Sequence, residues 1–313
     1  MTRLVFFAVA AGLLSALLHL STEWSLLGAV VISLAAPFPL FAAGLGLGLK
    51  GAALAASVAT LTAAAVAGLP RAGLYAATDA VLVLVLVRYA LLNRVMPDGK
   101  VEWYPPGLLL AWLTLYAVVA FVVLTLAWGP ENLQSGVSGY VDGFRRMLAE
   151  ASRESPAMTR MLAGLARILP FMVVAWWIVI MAANAALAQK FLVRTGHAIR
   201  PSPDLTTTQP PAWVLSAAVA AAALALVGSG WIGFVATNVA LILCVPYFLA
   251  GLAVVHTVSA GWNGRKAILI ALYLLLFLFG WPLIVVTGLG MAEHWIGLRR
   301  RYAGPGPGNE RNE

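Results

Sequence analysis

The feature that most constrains this chain is a succession of apolar stretches, each about as long as a bilayer is thick. A helix needs about 20 mainly apolar residues to cross the roughly 30 Å hydrocarbon core of a membrane. Such stretches recur at 4–20, 24–48, 49–69, 72–92, 107–128, 167–189, 212–228, 234–260 and 266–289. Between them they cover most of the 313 residues. A water-soluble fold could not hide this surface. With 62% hydrophobic and 10% charged residues and a mean hydropathy of +0.91, the chain lies far from the soluble norm of about 25% charged. The expected fold is therefore all-α, a polytopic transmembrane helical bundle of eight or nine spans with an amphipathic surface segment.

The count depends on the second stretch. Ala36-Pro37-Phe38-Pro39 interrupts it, and proline removes a backbone donor and collides with the preceding turn. Two short helices, 24–35 and 40–48, are expected there. If the first only dips into the bilayer, eight crossings remain. Met1-Thr2-Arg3 ahead of Leu4–Leu20 resembles the start of a secretion signal, but no small-x-small cleavage site follows His19 and Leu20. A retained first helix is expected. Trp24, Trp103, Tyr104, Trp128, Trp213, Trp262 and Trp295 fall near span ends, where amphipathic rings favour the headgroup level.

Residues 129–166 read differently. Asp142, Arg145, Arg146, Glu150, Arg153, Glu154 and Arg160 are mixed with Val141, Phe144, Met147, Leu148 and Ala151 at helical spacing. Ser155-Pro156 then provides a cap and a first-turn proline. Met158, Met161, Leu162 and Leu165 give the next helix one apolar face. A helix–break–helix along the membrane surface is expected, with a solvated hairpin as the alternative. The organisation is then a five-span group (1–128), the surface segment (129–166), the C-terminal spans (167–300) and a Gly/Pro-rich tail (301–313) expected to be disordered.

The net charge of +8 does not point to nucleic acid, because the basic residues are dispersed between apolar blocks. They serve better as topology signals and as contacts to anionic headgroups. With eight spans, Arg299-Arg300-Arg301 falls on the cytoplasmic side together with both termini. The Lys-poor, Ala/Leu/Gly-rich usage suits a bacterium, so the expected location is its inner (plasma) membrane, with the lipid bilayer as the principal partner. The single Cys244 excludes an internal disulfide and a cysteine metal cluster.

No zincin, Walker, nucleophile-elbow or Cys-x-x-Cys signature occurs. His19, His197, His256 and His294 are scattered, and Glu293-His294 point about 100° apart on a helix. No catalytic residue, metal site or cofactor is expected, and the chain is read as a non-enzyme. The residue that stands out is Asp79, near the middle of the fourth stretch. An acid at that depth costs about 2.5–3.5 kcal/mol on insertion scales and faces the bundle interior or water. It is either a substrate- or proton-binding carboxylate or a structural hydrogen-bond hub. Asn184 and Asn238 are weaker ligand candidates, since interhelical hydrogen bonding is the usual role of such amides. The stripe Ala8, Gly12, Ala16 and the pair Gly44, Gly48 suit close helix packing, inside the protein or against a partner.

Three stretches carry a resemblance. Leu34-Ala35-Ala36-Pro37-Phe38-Pro39-Leu40 running into Ala43-Gly44-Leu45-Gly46-Leu47-Gly48-Leu49-Lys50-Gly51 resembles the Pro-then-Gly segment of the YybS-like family of bacterial membrane proteins. Pro246-Tyr247-Phe248-Leu249-Ala250-Gly251-Leu252-Ala253-Val254-Val255-His256 is similar to that family's aromatic-x-x-Gly-Leu-Ala-Val segment, departing at Ala250, where the family pattern has Gln. Leu289-Gly290 through Leu298-Arg299-Arg300 is similar to its closing pattern. That family is distantly similar to the substrate-binding subunits of energy-coupling-factor vitamin transporters. The resemblance implies a small-solute transporter or solute-binding membrane subunit, in which Ala8, Gly12 and Ala16 would match a docking stripe for other membrane subunits. The alternative is a non-transporting membrane scaffold that uses the 131–167 helices and the Arg299 cluster.

Overall fold

The structure, a computed structural model, describes residues 2–21, 32–151, 156–203 and 208–302. Trp24, the first piece of the second apolar stretch, Ser155 and the tail from Gly304 lie outside the described residues. So do the side chains of Phe144, Met147 and Leu148 on the expected amphipathic face. The fold is nearly all helical and divides into two compact units. One is Met1–Leu113 with Trp177–Pro203, the other Thr114–Trp176 with Asp204–Glu313.

In the first unit, α1 (Thr2–Leu20) precedes α2 (Pro37–Leu47), a helix of only 11 residues. Pro37 stands in its first turn, where a missing N–H costs nothing. At its other end Gly48 takes φ +82 and its N–H donates to the Gly44 carbonyl. That left-handed backbone suits glycine alone. The Gly44/Gly48 pair thus splits into two roles: Gly48 turns the chain, while Gly44 packs against Ala52 and Val87.

The helix α3 (Leu49–Tyr75) continues through a π-helical turn (Ala76–Ala80) into α4 (Val81–Ala90). It is not straight. Gly68 has φ +82 and ψ 170, two residues ahead of Pro70. Gly44 lies against both Ala52 and Val87, which a straight helix would hold about 50 Å apart at 1.5 Å per residue. The chain therefore folds back at Gly68, and its two limbs run side by side.

After α4 comes a short antiparallel hairpin, β1 (Asn93–Val95) with β2 (Val101–Trp103), which pairs Asn93 with Trp103. Pro97-Asp98-Gly99 lies in its turn, Gly99 at φ +81. This strand pair is an addition to the all-α expectation. The loop after α7 closes the same unit. The Ile199 N–H donates to Leu45, and Arg200 Nη1 donates to the Ala90 carbonyl at 2.9 Å. That places a cation at the negative end of α4, with the guanidinium 5.8 Å from the Trp103 ring. Burial lowers the Arg200 pKa from its ordinary value.

Helices α5 (Pro106–Trp128) and α7 (Pro156–Arg194) each supply residues to both units. The second unit also holds α6 (Pro130–Ala151), α8 (Ala212–Val227), α9 (Gly230–Val258), α10 (Arg265–Phe279), α11 (Pro282–Ile296) and α12 (Leu298–Tyr302). Helix α6 covers the first of the two expected surface helices. The second surface helix is not separate: α7 runs 39 residues from Pro156 through the sixth apolar stretch.

The last stretch, 266–289, was expected to be one helix and is instead two. Gly280 at φ +60 ends α10, and Pro282 opens α11. Helix α11 crosses α9 at glycines. A Cβ on Gly251 would strike the Val286 carbonyl, and one on Gly290 the Tyr247 carbonyl, so both backbones meet without side chains between them.

Among the described residues, four helical stretches are long and apolar enough to cross a membrane: Leu49–Ala90, Pro106–Trp128, Arg160–Arg194 and Gly230–Gly261. Shorter apolar helices cover Leu4–Leu20, Pro37–Leu47, Ala212–Val227 and Pro282–Glu293. The apolar surface left outside is extensive: Leu226 is 88% exposed and Phe277 86%.

Candidate functional site

Asp79 sits in the π-helical turn, about 16 Å along the axis from both Gly68 and Ala90. The π-turn inserts an extra residue into the helical ladder, a distortion that concentrates at functional sites. The carboxylate is buried, and its neighbours are polar. Thr78 Oγ1 lies 2.7 Å from Asp79 Oδ2 and 3.0 Å from the Leu74 carbonyl. His19, from the last turn of α1, places Nδ1 3.7 Å from Asp79 Oδ2. The His19 ring meets the Tyr75 ring edge-on, with centroids 4.8 Å apart.

Tyr75 lies one turn before Asp79 and is fully buried. Its hydroxyl is 2.6 Å from Ser15 Oγ, which donates to the Ala36 carbonyl at 2.6 Å. Ser15 has one proton and gives it to Ala36, so Tyr75 is the donor between the two hydroxyls. Ala36 immediately precedes α2. The end of α1 and the beginning of α2 therefore meet the middle of the refolded α3–α4 helix, and the chain is non-helical between them at Leu34–Ala36. Irregular backbone at membrane depth is tolerated only where protein or a wet cavity satisfies it. Ser15 and Asn184 do part of this: Asn184 Nδ2 donates to the Leu34 carbonyl at 2.9 Å and to Ile180 at 2.8 Å.

The other expected site residue, Asn238, lies in the second unit and is completely buried. Its Oδ1 accepts from the Phe171 N–H at 2.8 Å, and its Nδ2 donates to the Arg167 carbonyl at 3.0 Å. In an undisturbed helix, Phe171 N–H and Arg167 C=O would bond to each other. Pro170 disturbs α7 there, and the Asn238 amide bridges the gap. This is why α7 continues past a proline. A third bond, to Phe234, uses the remaining amide hydrogen at 2.9 Å. Asn238 thus repairs a backbone and has no donor left for a ligand.

Ala8, Gly12 and Ala16 face inward. Ala8 and Ala16 are buried, and a Cβ on Gly12 would overlap the Ala55 carbonyl and Val58. The stripe packs α1 on α3 and offers no face to a partner.

Glu293 and Arg299 are each 1% exposed. The Glu293 carboxylate accepts from the Leu298 and Arg299 N–H groups and from Arg299 Nε at 3.2 Å. Arg299 Nη1 also donates to the Thr208 carbonyl. Arg299 is therefore enclosed and unavailable to headgroups, contrary to its expected place in an exposed basic cluster. The sequence reading missed this pairing, along with Ser15, His19 and Tyr75. The signal for the last three was the one-turn spacing of Ser15/His19 and of Tyr75/Asp79.

A cleft of ≈ 350 Å³ in the second unit lies between α6 and α7, with Gln134, Ser138, Asp142 and Arg167 on its polar side and Leu162 and Phe234 on its apolar side. Among the described residues, no three His, Cys, Asp or Glu side chains converge as a metal site. No curated protein and no solved structure matches the chain. The family described as "Predicted membrane protein (DUF2232)" matches residues 12–293. With nearly the full length matched and long apolar helices throughout, the chain belongs to that family of membrane proteins.

Proposed function

We propose that this membrane protein is a multi-pass small-solute transporter, or the solute-binding subunit of one, with Asp79 at its functional centre. The observation that carries the reading is a buried acid in a π-turn that faces His19 where α1 ends and α2 begins. Ionisable residues at bilayer depth mark solute and ion pathways by default. Interrupted helices that meet at the midplane are a recurring way to build such sites. Binding, rather than catalysis, is the chemistry these groups suit.

The fold-back at Gly68 supports two crossings within residues 49–90. With α1/α2, α5, α7, α8, α9 and α11, we read eight or nine crossings in the inner membrane of a bacterium, with α6 along the surface; eight crossings would leave both termini cytoplasmic. The likeness to the YybS-like family, and through it to energy-coupling-factor subunits, agrees with this reading in its Pro/Gly break. Docking through Ala8, Gly12 and Ala16 does not carry over, because α3 already occupies that face.

The test is a thermal-shift screen of metabolites on detergent-purified protein, run in parallel with Asp79→Asn. A solute that stabilises the wild type and not the variant supports the proposal; equal responses remove Asp79 from it. A second reading, a scaffold that binds a partner through α6, is favoured by the cleft beside Asp142 and Arg167. Unchanged co-purifying proteins after deletion of 131–151 would dismiss it.

A further inference from the structure

We propose that Asp79 and His19 form a proton-binding pair at the middle of the membrane, with Thr78 as the residue that positions the proton. The argument starts from counting hydrogens. The Thr78 hydroxyl has one proton and two acceptors within reach, Asp79 Oδ2 at 2.7 Å and the Leu74 carbonyl at 3.0 Å. If Asp79 is ionised, that single proton is divided between the carboxylate and the carbonyl. If Asp79 carries a proton, its O–H donates to Thr78 Oγ1, and the Thr78 proton goes to Leu74. Every group in that short chain is then satisfied, and no charge is left at a depth where charge is costly.

The ionised alternative needs a cation, and His19 is placed to become one. Nδ1 is 3.7 Å from Oδ2, beyond a hydrogen bond and within reach of a small approach of α1. In the exchange, the Oδ2–H bond breaks and an Nδ1–H bond forms. A neutral acid and imidazole become a carboxylate and an imidazolium, with no change of net charge. Both forms are self-consistent, and they differ in which helix holds the proton.

Among the described residues, few other ionisable groups lie on the elements around this pair. On the helix that carries Asp79, the other ionisable neighbours are Tyr75, whose hydroxyl is engaged with Ser15, and Arg71, two turns before Asp79. Arg88 lies nine residues beyond. Helix α2 has no ionisable residue, and the first limb of α3 has only Lys50, which is exposed. The unit-one part of α7 carries Lys190 and Arg194, also exposed. The edge-on contact with Tyr75 holds the imidazole beside the carboxylate.

This inference deepens the transport reading, on which it rests for its biological use: solute movement would be coupled to protons carried by the pair. Proton binding can be measured without any solute. Infrared difference spectra of the full-length protein in liposomes would be recorded between about pH 5 and 8, in light and heavy water. The expected result is the carbonyl stretch of a protonated carboxylic acid that is absent in Asp79→Asn. Its midpoint pH is displaced in His19→Gln, and its frequency is shifted in Thr78→Val.

No acid carbonyl attributable to Asp79 anywhere in that range overturns the proposal, as does a midpoint indifferent to His19→Gln. Thermal midpoints of the variants report folding, and the wild-type pH series alone decides if a variant does not fold. A stabilising solute without a titrating Asp79 leaves the transport reading standing and removes this one. A titrating Asp79 with no solute does the reverse.

Discussion

The two units use the same polar side chains to opposite ends. In the second, each buried polar group described above is spent on backbone that would otherwise be unmatched. Asn238 bridges Arg167 and Phe171 around Pro170, and Glu293 receives the first N–H groups of α12 together with Arg299. In the first, Asn184 and Ser15 do similar repair at Leu34 and Ala36. Yet Asp79 is left with a shared threonine proton and a histidine at 3.7 Å. A polar group whose bonds all close on nearby backbone is structural. Under the proposal above, the group whose bonds do not all close on backbone is the one that binds a proton. The difference is visible only as a hydrogen-bond inventory.

That contrast can be broken or sharpened by mutation. The largest effect is expected from Glu293→Ala, which strands Arg299 in a buried site. About 3–5 kcal/mol is the usual cost, read as a sharp fall in the melting temperature of the purified protein, and Glu293→Gln with Arg299→Met should recover much of it. Gly290→Val comes next, because its Cβ meets the Tyr247 carbonyl. Forcing α9 and α11 apart should cost about 1–3 kcal/mol or more, measured by the monodisperse fraction in size-exclusion chromatography.

Asn238→Leu should cost about 1–3 kcal/mol by leaving Arg167 C=O and Phe171 N–H unsatisfied. The loss should shrink in a Pro170→Ala background, where α7 can close its own ladder. A double-mutant cycle checks this coupling. The smallest effect is expected from Asp79→Asn. Asparagine keeps the size of the side chain and can carry no charge, so stability should stay within about 1 kcal/mol or rise, while any solute response is lost. A destabilisation as large as that of Asn238→Leu would place Asp79 among the structural groups and erase the contrast.

Much of the fold could be read from the sequence because lipid imposes a simple rule: apolar runs of the right length become helices. Asp79 stood out for the same reason, as an acid within an apolar run, and the structure buries it beside His19. What could not be read depended on pairings between distant segments. Asn238 is explained only by the break at Pro170, and its partner Phe171 lies 67 residues away on another helix. Ser15 and His19 are common residues whose meaning comes from Tyr75 and Asp79. The surface helix expected to stop before residue 167 continues because a side chain from α9 mends it. The division at Gly280 was locally signalled by Gly-Trp-Pro, but hydropathy averaged over 20 residues conceals a three-residue break. The β-hairpin was likewise announced by Pro97-Asp98-Gly99 and hidden by its shortness.

Helix α10 has a consequence of its own. None of its residues is buried, although nearly all after Lys266 are apolar. Its polar ties to the rest of its unit run from Arg265 and Tyr273 to His256. Such an element has acyl chains as its folding partner, so its stability belongs to the bilayer as much as to the polypeptide. Extraction into short-chain surfactant should fray it before anything else. Its amides should then be the first to exchange deuterium, while α9 and α11 beside it remain protected.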